Sequence, residues 1–398
     1  MYSQVTPPLS LCVVSVLPTE LWLHILEYLS VRELSRIIRV SRFFHNLALP
    51  LCYSDLTIPI PKPSSSTIFE VISRYPFLQN AIKSIELSGG IDTVVLCRRT
   101  LTRTSALLET SAIRNRFISC LPLLTSLQAL HLITITLIPN LCHALIDLPQ
   151  LERLVLEDCR GPIPSINVFA DHPTKNRLKH VELKILSWKP LSSDLDILAP
   201  FFYSSDLQVL VTNQPHLLDL ILARDLPSKP FHLSLYDVGE NDLPPILRLF
   251  GHPKCSLLKG LTIKKRSDIY NGLNTKPTFQ KPRLLEFFDG DAQLATLFID
   301  QHSKIRELRL SEFCNLRLDL FRLVGKSYMT KLVLTLKDAS IINYKLWDSL
   351  EESFCNLTIL KLLVSKQLPG STLTVGHITL TSFELLPCTD ANLIRVGI

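Results

Sequence analysis

Charge is scarce in this sequence. Of its 398 residues 20% are Asp, Glu, Lys or Arg, below the usual quarter, while 46% are hydrophobic. Such a chain has ample apolar surface to bury, which excludes wholesale disorder. Neither sign dominates: 42 basic and 36 acidic residues leave a net charge of +6. Over this length that is too mild to point to nucleic acid or a membrane surface as partner, and neither is expected. The 10 cysteines, at positions 12, 52, 97, 120, 142, 159, 255, 314, 355 and 388, form no C-x-x-C pair and no Cys/His cluster of zinc spacing. They stand singly in mostly apolar runs and read as buried free thiols in a reducing compartment rather than disulfides. No metal and no cofactor is expected.

Catalytic motifs are missing as well. G-x-G-x-x-G, G-x-S-x-G and H-E-x-x-H do not occur. Gly325-Lys326-Ser327 ends like a phosphate loop, but Leu320 stands where the loop needs its first glycine. His24, His131 and His180 fall inside periodic segments and read as surface or satisfied structural residues. Asn356-x-Thr358 is one isolated glycosylation pattern, read as chance. A cryptic active site would need perturbed titratable groups placed together, and no candidate pair stands out. The expectation is a chain that is not an enzyme. Membrane signals are also weak. Residues 1–17 lack a basic start and contain Pro7-Pro8, unlike a signal peptide. Residues 118–146 carry no Asp, Glu, Lys or Arg, yet Pro122, Pro139 and several polar residues interrupt them, which fits a buried strand with flanking turns better than a membrane span.

What is present begins at residues 17–50. Leu21, Ile25 and Leu29 recur at four-residue spacing, with Trp22 and Leu26 beside them, so one helix is apolar over most of its surface. Ser30 and Glu33 form a capping box that starts a second helix at Val31, carrying Leu34, Ile37 and Ile38. Ser41 is placed to cap a third helix with Phe43, Phe44 and Leu47, which Pro50 is expected to end. The run Leu17-Pro18-x-Glu20-Leu21, Ile25-Leu26-x-x-Leu29, Leu34, Val40-Ser41-x-x-Phe44-x-x-Leu47 resembles an F-box, although many members have Cys at the position of Ser41 and Trp at that of Phe44. The resemblance implies a three-helix unit that docks on the SKP-family adaptor of cullin-RING (SCF-type) ubiquitin ligases. It assigns adaptor contacts to Leu17, Pro18, Glu20, Leu21, Ile25, Leu26, Leu29, Leu34 and Val40. Which of these face the adaptor and which the unit's own core, the pattern leaves open.

The rest of the chain repeats itself. An apolar residue, two variable ones, an apolar one, a variable one and an apolar one recur as Ile82-x-x-Ile85-x-Leu87, Leu127-x-x-Leu130-x-Leu132, Leu151-x-x-Leu154-x-Leu156, Leu178-x-x-Val181-x-Leu183, Leu258-x-x-Leu261-x-Ile263, Ile305-x-x-Leu308-x-Leu310, Met329-x-x-Leu332-x-Leu334 and Leu357-x-x-Leu360-x-Leu362. Weaker copies centre on Leu56, Leu210, Leu233 and Phe287. The array is similar to a degenerate leucine-rich repeat, the whole resembling fungal-type F-box domain-containing proteins. One unit cannot bury its own apolar face, so copies must stack. The expected fold is α/β: a small N-terminal three-helix F-box followed by a curved leucine-rich-repeat-like solenoid with a parallel inner sheet. The expected division is residues 1–16 as a tail, 17–50 as the F-box and 51–398 as the solenoid. Prolines at 59–66 suggest a connector that is neither helix nor central strand, followed by a helix at 66–75. The Tyr53–Ile58 strand is expected to pair with Ile82–Leu87. With 26 prolines against 12 glycines, the outer returns are expected to be uneven. A long gap between copies marks a basic insertion about 91–120, with Arg98, Arg99, Arg103, Arg114 and Arg116; it reads either as a projecting helix for an acidic partner or as an ordinary amphipathic outer helix.

The implied role is a substrate-recognition adaptor working in the cytoplasm, the nucleus or both; the alternative is a protein-binding scaffold that recruits no ligase. Substrate would lie on the open face of the sheet, where the variable strand residues Glu307, Arg309, Lys331, Val333 and Lys361 point away from the core.

Overall fold

The computed structural model describes residues 17–60, 63–89, 103–159, 177–184, 199–202, 204–215, 217–218, 229–239, 242–252, 255, 257–265, 285–299, 303–313, 320–321, 328–336, 346, 350, 352–354, 356–364, 382–387 and 394–395. Residues 1–16, Gly325-Lys326-Ser327 and residues 90–102 with Arg98 and Arg99 lie outside them. The chain divides into two compact units, Met1–Ile133 and Thr134–Ile398.

The first unit opens with three helices, α1 (Thr19–Glu27), α2 (Val31–Ile37) and α3 (Arg42–Cys52). Each start has a local cause. The Pro18 carbonyl accepts the N–H groups of Leu21 and Trp22 at 3.1 and 3.2 Å. Ser30 forms the full capping box: its hydroxyl accepts the Glu33 N–H at 3.4 Å, and the Glu33 carboxylate accepts the Ser30 N–H at 2.8 Å. Hydrogen bonds from the Ser30 hydroxyl, then from its backbone N–H, hold the Glu33 carboxyl below its ordinary range. Ser41 accepts the Phe44 N–H at 3.3 Å. Leu26, Leu34 and Ala48 form the sealed centre of the bundle, with Leu29, Ile37, Ile38, Phe44 and Leu47 packed around them. Pro50 does not end α3, contrary to expectation. The helix runs through it to Cys52. The proline removes one i→i−4 bond, but the last turn brings Leu51 and Cys52 onto the bundle core.

Strand β1 (Asp55–Ile60) leaves α3 almost directly and pairs in parallel with β2 (Ser84–Gly89), Leu56 opposite Ile85 and Ile58 opposite Leu87, as the sequence indicates. β3 (Ala129–Ile133) follows on β2 in the same register. The Pro/Ser connector is shorter than expected. Pro59 and Ile60 belong to β1, an edge strand, where a missing N–H is tolerated. Pro63 already opens α4 (Pro63–Arg74), a position where its fixed φ suits a helix start. The buried Ser65 hydroxyl ties the two together, donating to the Pro59 carbonyl at 2.7 Å. After α5 (Pro76–Ala81), which packs against α3, comes α6 (Arg103–Cys120). Ile113, Phe117 and Cys120 of α6 are buried, the Phe117 ring lies 5.5 Å from that of Phe69, and Arg116 pairs with Glu70 at 2.5 Å. This half of the basic segment is thus an outer helix seated on α4.

The second unit is a run of strands in chain order: β4 (Arg153–Glu157), β5 (His180–Lys184), β6 (Val209–Thr212), β7 (Phe231–Val238), β8 (Leu258–Lys265), β9 (Phe287–Asp291), β10 (Glu307–Phe313), β11 (Lys331–Leu336), β12 (Ile359–Val364) and β13 (Ser382–Pro387), all parallel, with β14 (Ile394–Arg395) antiparallel at the end. The register aligns Leu154, Val181, Leu210, Leu233, Leu261, Phe288, Leu308, Leu332 and Leu360 in one row, none more than 2% exposed. Burial of each such side chain contributes about 1.5–3 kcal/mol. A backbone device recurs at the start of several strands. Two consecutive N–H groups donate to one carbonyl of the preceding repeat: Lys179 and His180 to Glu152, Gln208 and Val209 to Lys179, Thr330 and Lys331 to Arg306, Thr358 and Ile359 to Thr330, all at 2.8–3.0 Å. The first unit does the same, with Lys83 and Ser84 both donating to Ser54 at 2.9 Å.

Two readings of the repeat need correction. The ninth copy centres on Phe288, not Phe287: Phe288 is fully buried and Phe287 lies on the opposite face. A slip of one residue exchanges the two faces of a strand. The pattern misleads because Gly290 stands where the next apolar residue is expected. A Cβ there would lie 3.0 Å from the Phe288 ring and 3.0 Å from the Ile263 carbonyl, so the large ring and the absent side chain fill one space together. In addition, β13 continues the array, Phe383 pairing opposite Leu360, beyond the last copy recognised in the sequence. The described returns are uneven and short, α7 (Pro139–Ile146), α8 (Ala199–Phe202), α9 (Leu243–Gly251) and α10 (Ala292–Phe298), with proline in the first turn of α7 and α9.

Candidate functional site

Two surfaces carry the sequence candidates, one in each unit. On the helical head, α1 and the two residues that follow it carry two apolar stripes side by side. Trp22, Leu26 and Leu29 face inward, Trp22 edge-on to Phe44 at 5.0 Å. Leu21, Ile25 and Tyr28 form the second stripe and remain 49%, 44% and 78% exposed. Leu17, Val31 and Val40 add to the exposed apolar set, Val40 at 69%. Pro18 and Glu20 are exposed beside them. The nine sequence candidates therefore separate. Leu26 and Leu34, 1% and 3% exposed, are sealed in the bundle and cannot touch a partner without unfolding it. Leu29 packs on that core. Leu17, Pro18, Glu20, Leu21, Ile25 and Val40 remain available. Tyr28 and Val31 were missed, although Tyr28 continues the Leu21–Ile25 spacing. His24 braces the Tyr28 ring edge-on at 5.1 Å.

In the second unit, the open face of β8 to β12 holds a groove of about 370 Å³ lined by Lys264, Asp289, Arg309, Leu310, Ser311, Lys331, Val333, Thr335, Lys361 and Leu363. Four of the five sequence candidates line it. Glu307 does not, but it supports the wall: its carboxylate accepts from Arg309 at 2.6 Å and Lys331 at 2.9 Å. Burial works against the Glu307 carboxylate, yet Lys331 and Arg309 together bring its pKa below the ordinary value. Lys264 pairs with Asp289 at 2.5 Å, and the Arg309 guanidinium lies over the Phe287 ring at 5.3 Å. Lys264, Ser311, Thr335 and Leu363 occupy the same repeat positions on their strands and were legible from register. Asp289 was hidden by the one-residue slip at Phe287.

A second charged cluster lies on β5. The His180 ring, with Nε2 3.6 Å from the carboxylate, and Lys184 at 2.5 Å together outweigh burial and hold the Glu182 carboxyl at a pKa of about 2. Burial pushes the thiols of Cys142, Cys159 and Cys255 up to about 12, so they are poor nucleophiles. Cys52, Cys120, Cys142, Cys159 and Cys255 are thiols outside any disulfide. Among the described residues no group of three or more His, Cys, Asp and Glu could hold a metal ion, and no helix is long and apolar enough to cross a membrane.

Residues 14–57 match the family model described as F-box-like, which spans the whole helical head and the start of β1. No curated protein matches the chain. Among solved structures, an internalin from Listeria monocytogenes is similar at 13% identity, over 94% of this chain and 95% of that one, with a TM-score of 0.32. The parallel register described above, not this likeness, establishes the repeat architecture.

Proposed function

We propose that the chain is a non-catalytic substrate adaptor of a cullin-RING ubiquitin ligase. Its helical head docks on an SKP-family adaptor and its repeats hold a protein for ubiquitin transfer. One observation carries this reading: within the F-box-like residues, the head is already folded around Leu26, Leu34 and Ala48, yet Leu17, Leu21, Ile25, Tyr28, Val31 and Val40 stay exposed. An apolar patch of this kind, rimmed by polar residues such as Glu20, Glu27 and Arg39, marks a protein interaction site. Helix faces of this type bind through a few buried apolar anchors. No side chain of this chain performs chemistry in this reading; holding the substrate near the transferring enzyme supplies the rate. Action in the cytoplasm or nucleus belongs to the same proposal, and the free thiols suit a reducing compartment.

The test is co-purification of the chain with an SKP-family adaptor, comparing wild type with Leu21→Ala/Ile25→Ala. Each anchor truncation is expected to cost about 2 kcal/mol of binding, roughly thirtyfold in affinity. Both proteins should melt alike, because neither side chain belongs to the sealed core. Equal recovery of the adaptor with both, or none with either, refutes ligase recruitment and leaves a repeat scaffold.

A further inference from the structure

We propose that the groove across β8–β12 binds an extended acidic segment of a partner protein. Its carboxylates would be received by Lys264, Arg309, Lys331 and Lys361, and an apolar side chain between them by Val333 and Leu363. The inference deepens the preceding reading, since it states the chemistry of what the repeats would capture.

The first argument is charge. The lining holds four cationic side chains and one carboxylate, Asp289. Glu307 lies behind Arg309 and Lys331 and is shared between them, so two cations divide one counter-charge. Like charges held this close on a half-buried face favour an anionic occupant.

The second argument is spacing. Arg309, Val333 and Lys361 are register neighbours on three successive strands. Strands lie about 4.8 Å apart, so the two cations are about 10 Å apart with the buried valine between them. That distance is spanned by about three residues of extended chain. A peptide crossing the strands can thus set a carboxylate at each cation and an apolar side chain on Val333 and Leu363. Ser311 and Thr335 supply hydroxyls for its backbone. A nucleic acid fits less well. The lining has no aromatic ring for a base to stack on, and Asp289 would repel phosphate.

The test selects random displayed peptides on the purified whole chain, then titrates synthetic labelled binders by fluorescence anisotropy. The expected consensus has Asp or Glu on either side of Val, Leu or Ile. Arg309→Gln and Lys361→Gln should each weaken binding about tenfold. Lys304→Gln removes the same charge outside the groove and should leave it unchanged. Melting curves show which variants are folded, and two groove variants are used so that either can carry the result. Absence of binders, a neutral or basic consensus, indifference to both groove variants, or displacement of the peptide by single-stranded RNA overturns the proposal. No ligase component is present, so failure here and failure of adaptor docking are separately visible.

Discussion

Gly260 offers a prediction whose sign depends on one neighbour. It lies opposite His232 across β7 and β8. A Cβ at Gly260 would fall 2.1 Å from His232 Nδ1 and 2.7 Å from Cε1, so the imidazole occupies the space a side chain would need. The Gly260 backbone is outside the left-handed region and imposes no conformational demand for glycine. Alanine in a strand is otherwise favoured over glycine by about 0.5–1 kcal/mol. Overpacking against the ring opposes this with about 1–3 kcal/mol. The expected net effect of Gly260→Ala is a loss of about 0.5–2 kcal/mol. With His232→Ala already in place the obstacle is gone, and the same substitution should stabilise by about 0.5–1 kcal/mol. Urea unfolding of the four proteins of this cycle measures the coupling directly. If Gly260→Ala costs the same in both backgrounds, the ring is not what occupies the space and the argument fails.

Three further outcomes follow from single residues. Leu26→Ala should cost about 2–5 kcal/mol of stability, whereas Val40→Ala should change it by less than about 0.5 kcal/mol while weakening adaptor binding; unfolding and binding measured on the same samples separate core from docking surface. Glu182 has a carboxyl pKa lowered from 4.5 to about 2, chiefly by His180 and then Lys184, so the stability it contributes is present above 4.5 and lost as pH falls towards 2; Glu182→Gln should flatten that part of the melting-temperature profile, and an unchanged profile contradicts the pairing. Thr134 is a β-branched residue at φ 56° whose buried hydroxyl has no hydrogen-bond partner. Thr134→Gly should relieve about 1–2 kcal/mol of backbone strain against about 0.5–1 kcal/mol of added unfolded-state freedom, raising the melting temperature; a lower one refutes the strain argument.

The repeat rows were legible because a period of two on a strand reports which side chains face the core, and Leu154, Val181, Leu261, Leu308, Leu332 and Leu360 all lie where that period puts them. It failed where volume was exchanged between neighbours. Phe288 and Gly290 share one space, and a reading of single residues cannot see that one supplies what the other lacks. Pro59 and Pro63 misled for a related reason. Proline's cost depends on whether its missing N–H had a partner to lose, and an edge strand and a helix start have none. The groove was partly legible. Arg309, Lys331, Val333 and Lys361 follow from their repeat positions, but their convergence with Lys264 and Asp289 exists only once five strands are in register.

The head shows the same limit from the other direction. Leu21, Ile25 and Tyr28 are as apolar in the sequence as Trp22, Leu26 and Leu29, and no pattern on α1 alone says which stripe is the interior. The choice is made by α2 and α3, which can cover only one side of a nine-residue helix. A helix apolar nearly all round within a unit of three helices therefore has more apolar face than the described residues of that unit cover. The stripe left outside is the surface on which the proposed docking rests, and this excess is the physical content of the resemblance carried by Leu17, Leu21, Ile25 and Val40. Conversely, Leu26 and Leu34 share the motif's spacing without sharing its surface: their identity is set by the bundle core they seal.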